Sequence, residues 1–171
     1  MFLEETPHSH FPPGYPLFNA GILLFTHSYT ALKIANGILF GLSILILFFL
    51  LKRISGNLFV ALSTCLLCCM QQALLRYSTI VMSEMLFTFL TLGVLYLISL
   101  IDMDHLFYKK RPRSQIIYFI LMIIALNYIY FVRTMGTSII LAIIIYLGIL
   151  CTQKILTFLK SKRKNDEITI Q

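Results

Sequence analysis

The chain has 171 residues, of which 58% are hydrophobic and only 12% charged, and its mean hydropathy is +0.86. A soluble domain of this size needs far more polar surface around its core, so the solvent for most of these side chains is lipid. The net charge of +7 would suit a nucleic-acid partner in a soluble protein, but the apolar bulk and the absence of any recognised module exclude that class, and membrane insertion accounts for the basic residues instead.

Residues 1–29 come first and carry most of the prolines and histidines. Met1-Phe2-Leu3-Glu4-Glu5 has no basic n-region, so no cleavable signal peptide is expected. Phe11-Pro12-Pro13-Gly14-Tyr15-Pro16 predicts a stiff, extended segment, with its prolines fixing φ and Gly14 permitting a bend. It reads either as a loop held rigidly against a bundle or as an ordinary leading loop. Leu17 to Phe25 is apolar for nine residues, too short to span, and predicts a short helix at the interface or against the bundle. His8, His10 and His27 are of metal-ligating type, but two of them lie at the chain end, and no metal site is expected from them.

Five apolar runs follow, at about 30–51, 57–75, 79–101, 116–132 and 134–152. At 1.5 Å per residue, about 20 apolar residues cross a hydrocarbon core. Lys33 interrupts the first run near its start. As one helix, 57–101 would measure roughly 65 Å, about twice a bilayer, so a turn is predicted at its polar interruption, Arg76-Tyr77-Ser78. A second turn is predicted near Arg133-Thr134-Met135-Gly136, where a charge and a glycine coincide. Residues 154–171 form a polar, basic tail. Cys65, Cys68, Cys69 and Cys151 all lie inside apolar runs. Without accompanying histidines they read as small, soft packing residues rather than a metal or redox site. The fold class expected is therefore all-α, a polytopic transmembrane bundle.

The cations fix a sidedness. Lys52 and Arg53 follow the first run, Lys109, Lys110, Arg111 and Arg113 the third, and Lys154, Lys160, Lys162, Arg163 and Lys164 the fifth, which accounts for 11 of the 14 Lys and Arg. Cytoplasmic loops collect such residues, so the N-terminus is expected outside and the C-terminus inside. Residues 1–29 then form an external loop and 154–171 a cytoplasmic tail.

Lys33, Arg76, Glu84 and Arg133 fall on the outer side. An acidic group inside a span costs up to about 3 kcal/mol at the membrane centre and less near its edge, so Glu84 needs a partner. Glu84, Thr88 and Thr91 share one helix face, and Thr64, Cys68 and Gln72 form a similar stripe on the second run. Glu84 fits an interhelical hydrogen bond or ion pair, and equally a ligand-facing or catalytic role. Arg133 at an outer turn suits a phosphate, whose oxygens match the guanidinium fork, or a snorkelling contact with headgroups. Arg76 is similar, with weaker surroundings.

The order of Phe11-Pro12-Pro13-Gly14-Tyr15-Pro16 before a first span, Ser83-Glu84 opening a later one, and Arg133-Thr134-Met135-Gly136 at an outer turn resembles the GT-C superfamily. These are membrane glycosyltransferases dependent on polyprenyl-phosphate sugars, among them the protein O-mannosyltransferases and the aminoarabinose transferases. The resemblance covers roughly residues 11–153. It implies an active site on the outer face of a bacterial plasma membrane, with a sugar moving from a lipid-phosphate carrier to a hydroxyl acceptor. It implies donor-phosphate binding by Arg133, Arg76 and Lys33, a part for Glu84 in orienting the acceptor or one of those cations, and a substrate loop at Pro12, Pro13, Gly14 and Tyr15. Family members also carry an acidic residue in the first external loop, as general base or with a divalent metal at the donor. That position is expected to be missing here, with Glu4 or Glu5 as the alternative that stands in for it, and the chain is expected to be a fragment or truncated product of such an enzyme.

Two other readings stay open at this level: a non-enzymatic membrane protein, such as a transporter piece or accessory subunit, and an inactive fragment. Transporters place ionisable groups near the midplane, whereas these gather toward one face.

Overall fold

The computed structural model describes residues 12–101 and 113–169. The described residues form helices and connections without strands: α1 Gly14–Leu23, α2 Tyr29–Ser55, α3 Leu58–Met70, α4 Gln72–Thr79, α5 Ser83–Leu100, α6 Arg113–Val132 and α7 Gly136–Thr169. Four of these are long and apolar enough to cross a membrane, and the bent pair α3–α4 makes a fifth candidate. The protein is thus an integral, multi-pass membrane protein. It divides into two compact units, Met1–Gly136 and Thr137–Gln171. The second is the greater part of α7, whose stretch Gly136–Gln153 has the length and hydropathy of a span.

In the first unit, local chemistry sets the helix ends. Ser28 caps α2 by accepting the Thr30 N–H through its hydroxyl at 3.3 Å. Gly56 ends α2 with φ at 64°, where its N–H returns to the Lys52 carbonyl; a side chain there would strain the left-handed backbone. Asn57 then caps α3, its Oδ1 accepting the Phe59 N–H at 2.9 Å.

Helix α2 buries Leu32, Asn36, Leu39, Ser43 and Leu50, a seam at steps of four and three residues. The core cluster joins Leu39 to Met85 and Leu86 of α5 and Val132 of α6, with Tyr15, Phe18, Phe40, Leu74 and Tyr128 packed around it. Most other large apolar side chains of α2, α3 and α6 are exposed. In water such a surface would be unstable; in a bilayer it is the lipid-facing side.

Polar contacts fix the direction of each helix. Near the start of α2, the Asn36 carboxamide donates to the Ile80 carbonyl just before α5, at 2.7 Å. Near the end of α2, Arg53 Nε donates to the Ser99 carbonyl in the last turn of α5, at 2.8 Å. So α2 and α5 run parallel. Helix α6 runs antiparallel to α5: Gln115 at its start donates to the Leu100 carbonyl, and Arg133 past its end meets Glu84.

Parallel α2 and α5 decide what α3–α4 must be. The chain leaves α2 at one end and enters α5 at the other, so α3–α4 crosses between them as a broken span rather than a re-entrant loop. The lengths agree. The 13 residues of α3 rise about 20 Å. The 8 residues of α4, turned by 62°, add about 6 Å. Together they match the roughly 28 Å along α2 from Ser55 back to Asn36.

Two expectations are corrected. The break falls at Gln71, with a second turn at Ile80–Met82; Arg76, Tyr77 and Ser78 lie inside α4. Helix α4 is amphipathic, so its polar residues occupy an exposed flank instead of marking a turn. Pro13–Pro16 is helical at its start rather than extended: Pro13 sits at the cap in αR, and Leu17 N–H bonds its carbonyl at 3.0 Å. Pro16 falls in the first turn, where a missing N–H leaves no bond unmade. Thr64, Thr88 and Thr91 each return their hydroxyl to a carbonyl of their own helix.

Candidate functional site

The antiparallel packing of α5 and α6 sets the first turn of one beside the last turn of the other. Glu84 is the acidic residue in the first turn of α5, where the positive end of the helix dipole favours it. Arg133 directly follows α6, where the negative end favours a cation. Its N–H caps the Ile129 carbonyl at 3.0 Å, and its own carbonyl accepts the Gly136 N–H at 2.8 Å. Sequence position alone thus complements both dipoles, and the fold converts this into a contact: Arg133 Nη1 donates to Glu84 Oε1 at 3.2 Å.

The pair is neither sealed nor free. The Arg133 side chain is 40% exposed and that of Glu84 27%, while the guanidinium carbon stands 6.0 Å from the centre of the Phe87 ring. An exposed ion pair contributes about 0.2–1 kcal/mol in water; lipid and ring on one flank raise its worth by excluding water. The contact uses one nitrogen of the fork, and Glu84 is the charged partner of Arg133 among the described residues.

Helix α1 lies over this end of the first unit, and Gly14 shows how closely. A Cβ on Gly14 would stand 2.5 Å from both the carbonyl carbon and the oxygen of Phe131. The glycine is needed for backbone approach, not for the bend expected of it; among the described residues only Gly56 has positive φ. The Tyr128 hydroxyl locks the contact by donating to the Gly14 carbonyl at 3.0 Å. Gly136 repeats the arrangement, with a Cβ there 2.9 Å from the Ile129 backbone. Tyr15 packs on the cluster that holds Met85 and Val132, the neighbours of Glu84 and Arg133, and its hydroxyl accepts from Asn36 Nδ2 at 3.3 Å. Burial pushes the Tyr15 phenol above its usual pKa, so it stays neutral at physiological pH. Beside these contacts, Pro13, Gly14, Pro16, Leu17, Tyr128 and Phe131 line an apolar groove of about 600 Å³.

The candidate residues therefore separate. Glu84 and Arg133 meet, with Pro13, Gly14 and Tyr15 beside them. Lys33 is exposed and stacks its ammonium 5.2 Å from the ring of Tyr29 on its own helix. Arg76 is exposed on α4 and makes no ion pair among the described residues. Asn36 was not among the candidates, although it is 1% exposed and joins α1, α2 and the turn before α5. Its only signal is an amide inside an apolar run, where no partner can be read from spacing.

Glu4, Glu5, His8 and His10 lie outside the described residues. Among the described ones, no three His, Cys, Asp or Glu stand together. The four cysteines are free; Cys65 is buried against α2, 3.8 Å from the Ile44 carbonyl, as a packing residue.

Two half-exposed groups of opposite charge, a neutral phenol and an apolar groove suit an amphiphile with an anionic head. A family model, dolichyl-phosphate-mannose-protein mannosyltransferase, matches residues 7–170. No curated protein and no solved structure matches the chain.

Proposed function

The chain belongs to the dolichyl-phosphate-mannose-protein mannosyltransferase family, a family of membrane glycosyltransferases, and we propose that its Glu84–Arg133 end binds the phosphate of a polyprenyl-phosphate sugar. Transfer then takes place at the outer face of a bacterial plasma membrane. Charge supports that orientation. Lys52, Arg53 and Arg113 lie at the end of the first unit opposite Glu84 and Arg133. Lys109, Lys110 and Arg111 precede Arg113 in the sequence, while Lys33, Arg76 and Arg133 are the cations of the other end. The positive-inside rule puts the more basic end in the cytoplasm.

The observation that carries the reading is a guanidinium fastened by one nitrogen and still 40% exposed. When the bond between the sugar's anomeric carbon and the phosphate oxygen breaks, charge develops on the phosphate. A fixed cation near that oxygen stabilises the transition state more than the ground state. Glu84 holds the fork in place without occupying all of it, and the groove between α1 and α6 receives the first part of the carrier's chain. Lys33 and Arg76 make no contact with the Glu84–Arg133 pair among the described residues, and we assign them to lipid headgroups or to the carrier's approach. The residue that takes the acceptor's proton is not assigned.

The mutual satisfaction of Glu84 and Arg133 favours a second reading, in which the pair only pins α5 to α6. Arg133→Ala, purified in detergent beside the parent, addresses the first. Binding of a radiolabelled polyprenyl monophosphate should fall by more than tenfold while membrane insertion is unchanged. Undiminished binding removes Arg133 from the site.

A further inference from the structure

Asn36 stands seven residues into an apolar span and is 1% exposed. A carboxamide there opposes insertion and is tolerated only when its donors are used. Both known bonds lead toward the site. One nitrogen serves the Tyr15 hydroxyl at 3.3 Å and the Ile80 carbonyl at 2.7 Å.

Ile80 is the more telling partner. Its carbonyl also accepts the Met82 N–H at 3.0 Å, so both lone pairs are engaged. The start of α5 has no side-chain cap; Met82, at the cap position, is extended and contributes none. Beside the burial of Met85 and Leu86, the polar anchor at the beginning of α5 is therefore the doubly bonded Ile80 carbonyl. Glu84 follows four residues later, too close for its position to be independent of that anchor.

We propose that Asn36 is a positioning residue: by fixing the Ile80 turn it sets the height and rotation of the first turn of α5, so that the Glu84 carboxylate meets Arg133. The Tyr15 bond couples the same carboxamide to α1, which brings the substrate loop into register with the pair. Asn36 touches no reacting atom and acts through Glu84. Its part in donor binding rests on the function proposed above; its part in forming the ion pair does not.

The test uses the full chain in detergent and two readouts. The first is the thermal-stability coupling between Glu84→Gln and Arg133→Ala, measured as a double-mutant cycle in the parent and again in Asn36→Leu, a near-isosteric side chain without donors. The inference expects Tm shifts that are non-additive in the parent and additive in Asn36→Leu. A residue that merely stabilises the bundle would lower every Tm and leave the coupling intact, which would overturn the inference. The second readout is binding of a polyprenyl monophosphate. Asn36→Leu should weaken it about tenfold in the parent and not at all in Arg133→Ala; equal losses in both would also overturn it. If Arg133→Ala binds normally while the coupling behaves as expected, the proposed function fails and the positioning role stands. Should Asn36→Leu not fold, Tyr15→Phe and Asn36→Ser are measured in its place. Tyr15→Phe, which keeps the Ile80 bond, should preserve the coupling, and Asn36→Ser, too short to reach Ile80, should lose it; the reverse order contradicts the proposal.

Discussion

Gly14 and Phe131 touch backbone to backbone, so that a Cβ on the glycine would lie 2.5 Å from the phenylalanine carbonyl. Helix α1, too short to span a membrane, is held to α6 by this approach and by the Tyr128 hydroxyl on the Gly14 carbonyl. Because the obstacle is main chain, Gly14→Ala cannot be absorbed by a rotamer change and α1 must lift. The expected cost is ~1–3 kcal/mol, the range for overpacking a tight contact. Thermal unfolding in detergent checks it. Gly21→Ala, in the same helix with open space around it, should be neutral or slightly stabilising.

The parallel course of α2 and α5 requires α3–α4 to carry the chain from one face to the other. In a cysteine-free background, Asn57→Cys should react with an impermeant thiol reagent only from the cytoplasmic side, and Ser78→Cys only from outside. Labelling of both from one side would make α3–α4 a re-entrant loop and reverse the reading of its bend.

Much of this fold can be read from hydropathy. Each long helix contains an apolar run because lipid rewards uninterrupted apolar surface and demands satisfied backbone, although α7 continues past its run through the polar tail to Thr169. The passage from the second run into the third is the exception. Arg76-Tyr77-Ser78 is its most polar stretch, yet α4 runs through it, because an amphipathic helix at an oblique angle places such residues on its exposed flank. The real turn, Ile80–Met82, is apolar and contains neither glycine nor proline. It is held by Asn36, 44 residues earlier, and a tertiary bond leaves no local trace. The prolines mislead for a similar reason. They fix φ at a value shared by extended chain and first helical turn, and the choice between them is made by Gly14 docking on α6. The pairing of Glu84 with Arg133 is half visible. That each needs a partner on the same side follows from cost and charge; that they choose one another depends on α5 and α6 being antiparallel neighbours.

Tyr15 sets an alkaline limit. Its folded pKa is raised by burial, so the folded state holds the phenolic proton more tightly than the unfolded chain. Its contribution to stability is complete below about pH 10, the ordinary tyrosine value, and is lost as pH rises through the folded pKa. Between pH 9 and 11.5 the parent should lose thermal stability faster than Tyr15→Phe. Parallel decline of the two proteins would show that Tyr15 is not buried as described.

Arg53 closes the opposite end of the first unit by donating to the Ser99 carbonyl, one of the unpaired groups at the end of α5. Arg53→Ala should cost about 0.5–1.5 kcal/mol, the worth of one such bond, and leave binding of a polyprenyl phosphate unaltered. Stability and lipid binding measured on the same preparation separate the two ends. A binding loss would show that the site extends beyond the Glu84 face.

The most direct test of the account exchanges the two charges, combining Glu84→Arg with Arg133→Glu. The swapped pair can still join α5 to α6, but the cation now stands in the first turn of α5 instead of at the end of α6. The exchange should recover most of the thermal stability lost in either single variant while binding and transfer from a polyprenyl-phosphate sugar stay abolished. Recovery of binding and transfer together with stability would contradict the account, and would reduce Glu84 and Arg133 to a pin between two helices.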